Sequence, residues 1–209
     1  MQRMQILTKD ELAVWTWLVS KGIGNAMYGL SGMIGCELAV TGLSLKQIAA
    51  KDAAELLGGA ENMVVGIYLT ISGDADGHLM LVHDPKIAFE LIDMMMGLPL
   101  NSTRHMGEME RSVMGEMGNI TGSFFLNALA DATNMSLTPS PPAVMIDMAG
   151  PILDVALTKI MQEQDEVLVV ETAFGTASRH ISGTFLVMPT MSFLRAMLKH
   201  SPSLESNKC

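Results

Sequence analysis

EMERSVMGEMGNITGSFFLNALAD, from Glu108 to Asp131, carries glycines, polar groups and apolar residues at helical spacing. At about 100° per residue it winds as a helix in which Met109, Val113, Met117, Ile120, Phe124 and Ala128 form one apolar stripe, expected to face the core. Beside it Ser112, Glu116, Asn119 and Ser123 fall within about 60° of one another. A carboxylate, a carboxamide and two hydroxyls therefore project from one side of a rigid element. Gly115, Gly118 and Gly122 make a third strip, each costing about 1 kcal/mol relative to Ala inside a helix. Two arrangements offset that cost. Either a second long helix with Gly22, Gly24 and Gly29 packs closely against the strip, which is the favoured expectation, or a partner's backbone approaches the polar stripe.

Working outward, Thr8-Lys9-Asp10-Glu11 is a capped helix start, and Leu12, Trp15, Leu18, Val19, Ile23, Met27 and Leu30 continue at helical spacing to about residue 35. Strands are expected near 36–47, 62–72 and 77–83, with a short helical piece around 49–57. The turn Ser72–Gly77 has glycines able to take positive φ. Asp84-Pro85 opens a helix to about Met96. Gly97–Thr103, rich in breakers, marks mid-chain. The order then repeats: a long helix over about 106–134, ended by Pro139, Pro141 and Pro142; strands near 143–149, 166–175 and 180–188; and a last helix introduced by Pro189 and running to about Lys199. Residues 1–209 read as one domain made of two similar halves, about 8–97 and 104–200, with a mobile tail over 201–209.

Composition bounds the function. The 209 residues are 49% hydrophobic and 17% charged, which places the chain among packed globular proteins. A net charge of −9 disfavours a nucleic-acid partner, because such binding rests on Lys and Arg neutralising phosphates. Cys36 and Cys209 have no Cys or His at ligand spacing, so neither a disulfide framework nor a zinc site is expected. The 20 methionines, Met94, Met95 and Met96 among them, read as core rather than metal ligands. No secretory signal and no membrane-spanning apolar run are visible, so the expected location is cytoplasmic, without membrane insertion. His78, His83, His105, His180 and His200 form no arrangement with a nucleophile.

On its own, Ser112/Glu116/Asn119 is most often a solvated helix face. The whole spacing says more: Ser112, three residues, Glu116, two residues, Asn119, twenty-one residues, Pro141. That pattern, with Gly118-Asn119-Ile120 and the run Pro141–Met148, resembles the CheC family of chemotaxis phosphatases, and the likeness covers nearly the whole chain. The resemblance implies an α/β chain of α+β type, a pseudo-twofold duplicated fold with a mostly antiparallel shared sheet and two long helices across one face. It implies hydrolysis of the aspartyl-phosphate on a CheY-type receiver in two-component signalling, with Glu116 and Asn119 as catalytic residues and Ser112 and Pro141 in support. Pro141 is expected to shape the turn that ends the helix. No cofactor of the chain's own is implied; Mg²⁺ belongs to the receiver.

Family members usually carry the pattern once in each half. Here the first copy is lost: Trp17 stands where Glu is expected, Ser20 where Asn is expected, Gly42 where Pro is expected and Ala13 where the opening polar residue belongs. One working site is therefore expected. Asp147 is a candidate for a surface binding the deamidase CheD, or a plain strand-end carboxylate. The alternative functions are a non-catalytic adaptor holding phospho-receiver or CheD, and a flagellar switch component.

Overall fold

The first helix begins where its capping residues dictate. In the computed structural model, which describes residues 7–162, 165–176 and 179–201, with backbone alone for 179–183, the Thr8 amide donates to the Glu11 carboxylate at 2.7 Å. The Glu11 amide returns a bond to Thr8 Oγ1 at 3.3 Å, closing a capping box. Helix α1 (Lys9–Ile34) ends at Gly35, whose φ of 73° is the left-handed cap that glycine adopts without strain. There follow β1 (Ala39–Ala49), a 3-10 helix (Ala50–Leu57), β2 (Met63–Gly73), β3 (Gly77–His83) and α2 (Pro85–Met95). The order recurs as α3 (Glu108–Thr133), β4 (Leu137–Pro139), β5 (Ala143–Met148), α4 (Ala149–Ile160), β6 (Glu166–Thr176), β7 (Arg179–Pro189) and α5 (Met191–His200).

The strands form one antiparallel sheet in the order β1-β6-β7-β3-β2-β4, with β5 sharing β2's outer edge with β4. Strand β1 thus pairs with the late strand β6, and β5 pairs with the early strand β2, so the two parts of the chain interlock. Central β3 is buried at every residue, whereas edge strand β1 is largely exposed. A register shift between Val40 and Gly42 and a Lys46–Glu171 ion pair at 2.5 Å make that edge a poor template for further pairing.

Helices α1 and α3 lie across one face of the sheet. There Trp15, Leu18, Ile23, Met117 and Phe125 pack with Ile67, Leu69, Leu79 and Phe185. The opposite face is covered by α4, whose Ile152, Leu153 and Ala156 pack with Met80, Val82 and Val169. The mostly antiparallel sheet under two long helices is the architecture that the family resemblance implied.

Several local expectations are corrected. Strand β4 and helix α4 were not foreseen. The spacing of Ile152, Leu153, Ala156, Leu157 and Ile160 is helical, but Gly150 and Pro151 obscure its start. Prolines do not end α3: it stops at Thr133, where Asn134 takes φ 53°. Nor does Pro189 open the last helix. Pro189 closes β7, and Thr190 caps α5 by accepting the Phe193 amide at 3.1 Å. Of the turn glycines, Gly73 takes φ 124°, and a side chain there would meet Ser136 O at 2.1 Å. The tail expected to be mobile lies outside the described residues beyond Ser201.

Candidate functional site on helix α3

Depth of seating decides which α3 side chains reach solvent. A Cβ on Gly118 would lie 2.4 Å from Ile67 Cγ2 and 3.2 Å from Pro142 Cβ; one on Gly122 would lie 3.1 Å from Leu69 Cδ2. The helix therefore settles onto β2 and onto the Ser140–Pro142 connector. Its buried line runs through Met114, Met117, Gly118, Thr121, Gly122, Phe125, Leu126 and Leu129. The apolar stripe expected to face the core is rotated off it: of those residues only Met117 is buried, Met109 is 62% exposed, and Val113, Ile120, Phe124 and Ala128 are half-buried. Weighing side-chain hydrophobicity alone hides this, because glycines and a Thr whose hydroxyl donates to Met117 O at 2.6 Å make up part of the true core line.

The favoured glycine expectation, the α3 strip packed against the other long helix, is corrected: close packing does explain Gly118 and Gly122, but not against α1, and Gly24 meets nothing within 4 Å. On α1, Gly22 receives Phe125 and Gly29 receives Phe124, with a Cβ at 2.5 and 2.8 Å, so these two serve helix-on-helix contact. The Asn25 carboxamide adds a bond to Phe124 O at 2.6 Å. The α3 glycines serve the sheet and the proline connector instead.

Ser112, Glu116 and Asn119 are exposed, and Ser123 is half-buried beside them. Glu116 and Asn119, three residues apart, are neighbours on one face. The wall next to them is stiff. Ser140 N donates to Thr70 O at 2.9 Å, Thr70 N donates to Ser140 Oγ at 3.0 Å, and Arg111 donates to Val144 O at 3.2 Å. Pro141 stands exposed in this connector between β4 and β5, not in the turn that ends α3. Its neighbour Pro142 touches the helix, a contact that the spacing Gly115–Gly118 and the Pro-Pro pair could have signalled.

The approach to α3 is also fixed. Asp93, buried on α2, accepts from Ser102 N at 3.0 Å and from Thr103 N and Oγ1 at 2.9 and 2.6 Å. Burial pushes the Asp93 carboxyl up, but the bonds from Thr103, Ser102 and Asn101 outweigh it and hold the group below its ordinary range.

Asp147 is exposed on β5, about 10 Å along the strand from Val144. Its Oδ1 accepts the Met148 amide at 2.8 Å at the start of α4, and the paired Met63 and Met148 beside it are 47% and 40% exposed. It does not join Glu116 and Asn119 on α3.

On α1 the corresponding positions hold different chemistry. Trp17 is half-buried with Lys21 Nζ 5.2 Å from its ring centroid, and Ser20 donates to Thr16 O at 2.7 Å. Ala13 is exposed, and Gly42 lies within β1 opposite Ala173.

Elsewhere, a cavity of ≈ 530 Å³ opens by the end of β3, lined in part by His83, Asp84, Glu171 and Thr172. Burial pushes the His83 imidazole down to about 4, leaving it neutral near pH 7. Among the described residues no group of three or more His, Cys, Asp or Glu side chains comes together, and no helix is long and apolar enough to cross a membrane.

Residues 109–146 match the CheC-like family, a span running from the polar stripe of α3 through the proline connector into β5. The chain is 28% identical over 154 residues to the CheY-P phosphatase CheC of Bacillus subtilis (strain 168), covering 73% of this chain and 74% of that one. Among solved structures it resembles Thermotoga maritima FliY, with a TM-score of 0.77 at 20% identity over 94% of this chain and 98% of that one. A chain of the FliM–SpeE complex from H. pylori follows the same path, with a TM-score of 0.66 at 16% identity over 93% and 97%. These two likenesses show the fold, and the motif-bearing segment from α3 to β5 is the part of the chain that is similar to the CheC-like family.

Proposed function

We propose that the protein accelerates hydrolysis of the aspartyl-phosphate on a CheY-type receiver, with Glu116 and Asn119 as the working pair. The observation that carries this reading is their place on the exposed face of one stiff helix, seated against β2 and Pro142. Asn119 accepts a hydrogen bond from a water and holds it in line with the phosphorus atom. The water's oxygen bonds to phosphorus as the bond to the receiver's aspartyl oxygen breaks, giving inorganic phosphate and the free carboxylate. Glu116 pairs with a lysine of the receiver and orients the two proteins. Mg²⁺ is held by the receiver, and neither residue is covalently modified. The curated relative's name, a CheY-P phosphatase, supports the same substrate.

A second reading, an adaptor that binds phospho-receiver or CheD without turnover, is favoured by Trp17 and Ser20 on α1, where a second working pair is missing. Asp147, with the exposed methionines beside it, is the candidate contact for CheD. The deciding experiment follows the decay of a phosphorylated CheY-type receiver with and without the protein. Acceleration by wild type, lost in folded Asn119→Ala and Glu116→Ala, supports the phosphatase. Binding with unchanged decay replaces it with the adaptor.

A further inference from the structure

Glu116 has four near neighbours on α3, and they divide by chemistry. Ser112 and Asn119, four residues before it and three after, stand on one flank; Val113 and Ile120, three before and four after, stand on the other. Each is within about 60° of Glu116 around the helix, with Cβ atoms about 5–6 Å away. Met109, seven residues before Glu116, returns to the same side two turns down, about 10 Å along the axis. This apolar flank is only partly seated. Met109 is exposed, Val113 and Ile120 are half-buried, and among the described residues Ile120 belongs to neither core cluster. The close approach of Gly118 and Gly122 to Ile67 and Leu69 turns these residues outward, beside the polar pair.

We propose that Val113 and Ile120, with Met109 beyond them, are the apolar half of the interface to the receiver whose lysine pairs with Glu116; this rests on the function proposed above. Adjacency commits the face to that occupant. A protein that brings an ammonium group to the Glu116 carboxylate presses on the residues three and four positions away, so it covers Val113 and Ile120 together with Asn119. A footprint of about 800 Å² has a radius of about 16 Å, which takes in Met109 as well. The two flanks then do different work. Once covered, Val113 and Ile120 keep bulk water from the Glu116–lysine pair, and the attraction between opposite charges grows as water is excluded. Asn119, on the polar flank, keeps the single water that attacks phosphorus. Contacts that shut out solvent around a central pair are how protein interfaces shelter their strongest interactions. The receiver recognised here therefore carries apolar side chains beside its lysine.

The test measures dephosphorylation rate against receiver concentration for wild type, Ile120→Ala, the double variant Met109→Ala/Ile120→Ala, and Val155→Ala. The last truncates an exposed apolar side chain on α4, across the sheet from the site. Ile120→Ala is expected to raise KM about threefold and the double variant about tenfold, with kcat within about twofold, whereas Val155→Ala keeps the wild-type KM. Added salt should raise KM more steeply in the double variant, whose ion pair is open to screening; equal slopes overturn the sheltering role. An unchanged KM in the folded double variant overturns the apolar flank and leaves the phosphatase standing. So does a double variant that breaks a dimer of the wild type while its receiver KM holds, which gives the face to a second copy of the chain. Met109→Ala alone, at an exposed position, carries the same test if the double variant does not fold. If wild type does not accelerate decay, affinities for a receiver held in its phosphorylated form are compared instead. About tenfold weaker binding in the double variant then supports the flank on an adaptor, and equal or absent binding overturns it.

Discussion

Helices α1 and α3 are both 26 residues long and cross the same face of the sheet, yet they keep different things. Both retain glycines where a neighbour comes close: α1 receives the rings of Phe124 and Phe125, and α3 settles onto Ile67, Leu69 and Pro142. Only α3 carries a carboxylate and a carboxamide on its outer face. On α1 those positions are Trp17 and Ser20, one stacked by Lys21 and the other bonded back to its own helix. Packing lies on the inner faces, and the polar pair lies on the outer face of α3 alone, so the two are structurally separable.

The largest expected break in this comparison is Asn119→Ala. If one amide positions the water, its loss removes about a hundredfold of the acceleration, corresponding to about 2.7 kcal/mol. Receiver dephosphorylation measures it, and the thermal midpoint should barely move because Asn119 is exposed. An unaltered rate in the folded variant would dismiss the amide's role.

Next come the glycines, where the helices should respond with opposite sign. Gly118→Ala forces a methyl against Ile67 and Pro142, and is expected to destabilise by about 1–2 kcal/mol after its gain in helix propensity. It should lower activity too, since α3 must rise off β2. Gly24→Ala meets open space and should stabilise by up to about 1 kcal/mol. Denaturant midpoints compare the two directly. Equal effects would show that the close contact at Gly118 relaxes freely.

The helix starts also differ. Thr8 caps α1 with its side chain, whereas α3 begins at Gly107, which has none and relies on the Glu110 carboxylate accepting its amide at 2.9 Å. Thr8→Ala is expected to cost about 1 kcal/mol at neutral pH. The backbone and then the hydroxyl hydrogen bond from Thr8 lower the Glu11 pKa below its ordinary value. A lowered folded-state pKa gives stability that is present above the unfolded value and lost as pH falls through the folded one. The Thr8→Ala difference should therefore shrink in acid below the ordinary glutamate range. A gap that stays constant to pH 2 would separate the cap from the ionised carboxylate.

Most of the element order, β4 and α4 apart, was legible because it rests on periodicity and punctuation, which are local, whereas the sheet's antiparallel character came from the family resemblance. Thr8, Gly35, Pro85 and the breakers at 97–103 each mark a boundary through backbone chemistry alone. The orientation of α3 was not. Its core line contains Gly118, Thr121 and Gly122, and whether a glycine is inside depends on how closely Ile67 approaches from a strand some fifty residues away. That Glu116 and Asn119 share one exposed helix face was legible as a spacing, but the wall beside them was not. Pro142 acquires its place from the bonds between Ser140 and Thr70, which no local pattern encodes.

The smallest expected effect belongs to the reverse experiment, in which α1 is given the same pair as Trp17→Glu with Ser20→Asn. If a carboxylate and a carboxamide three residues apart on an exposed helix were enough, this graft would restore turnover in an Asn119→Ala background. The wall beside the pair argues otherwise. In α3 the pair stands next to a proline connector tied to β2, whereas the α1 counterpart of Pro141 is Gly42, a residue inside edge strand β1 opposite Ala173. No stiff loop supports the graft there, and positioning is what a single amide contributes. The grafted protein is therefore expected to stay within about twofold of its Asn119→Ala parent. Recovery of tenfold or more would place the whole activity in the helical pair and reduce the connector to packing.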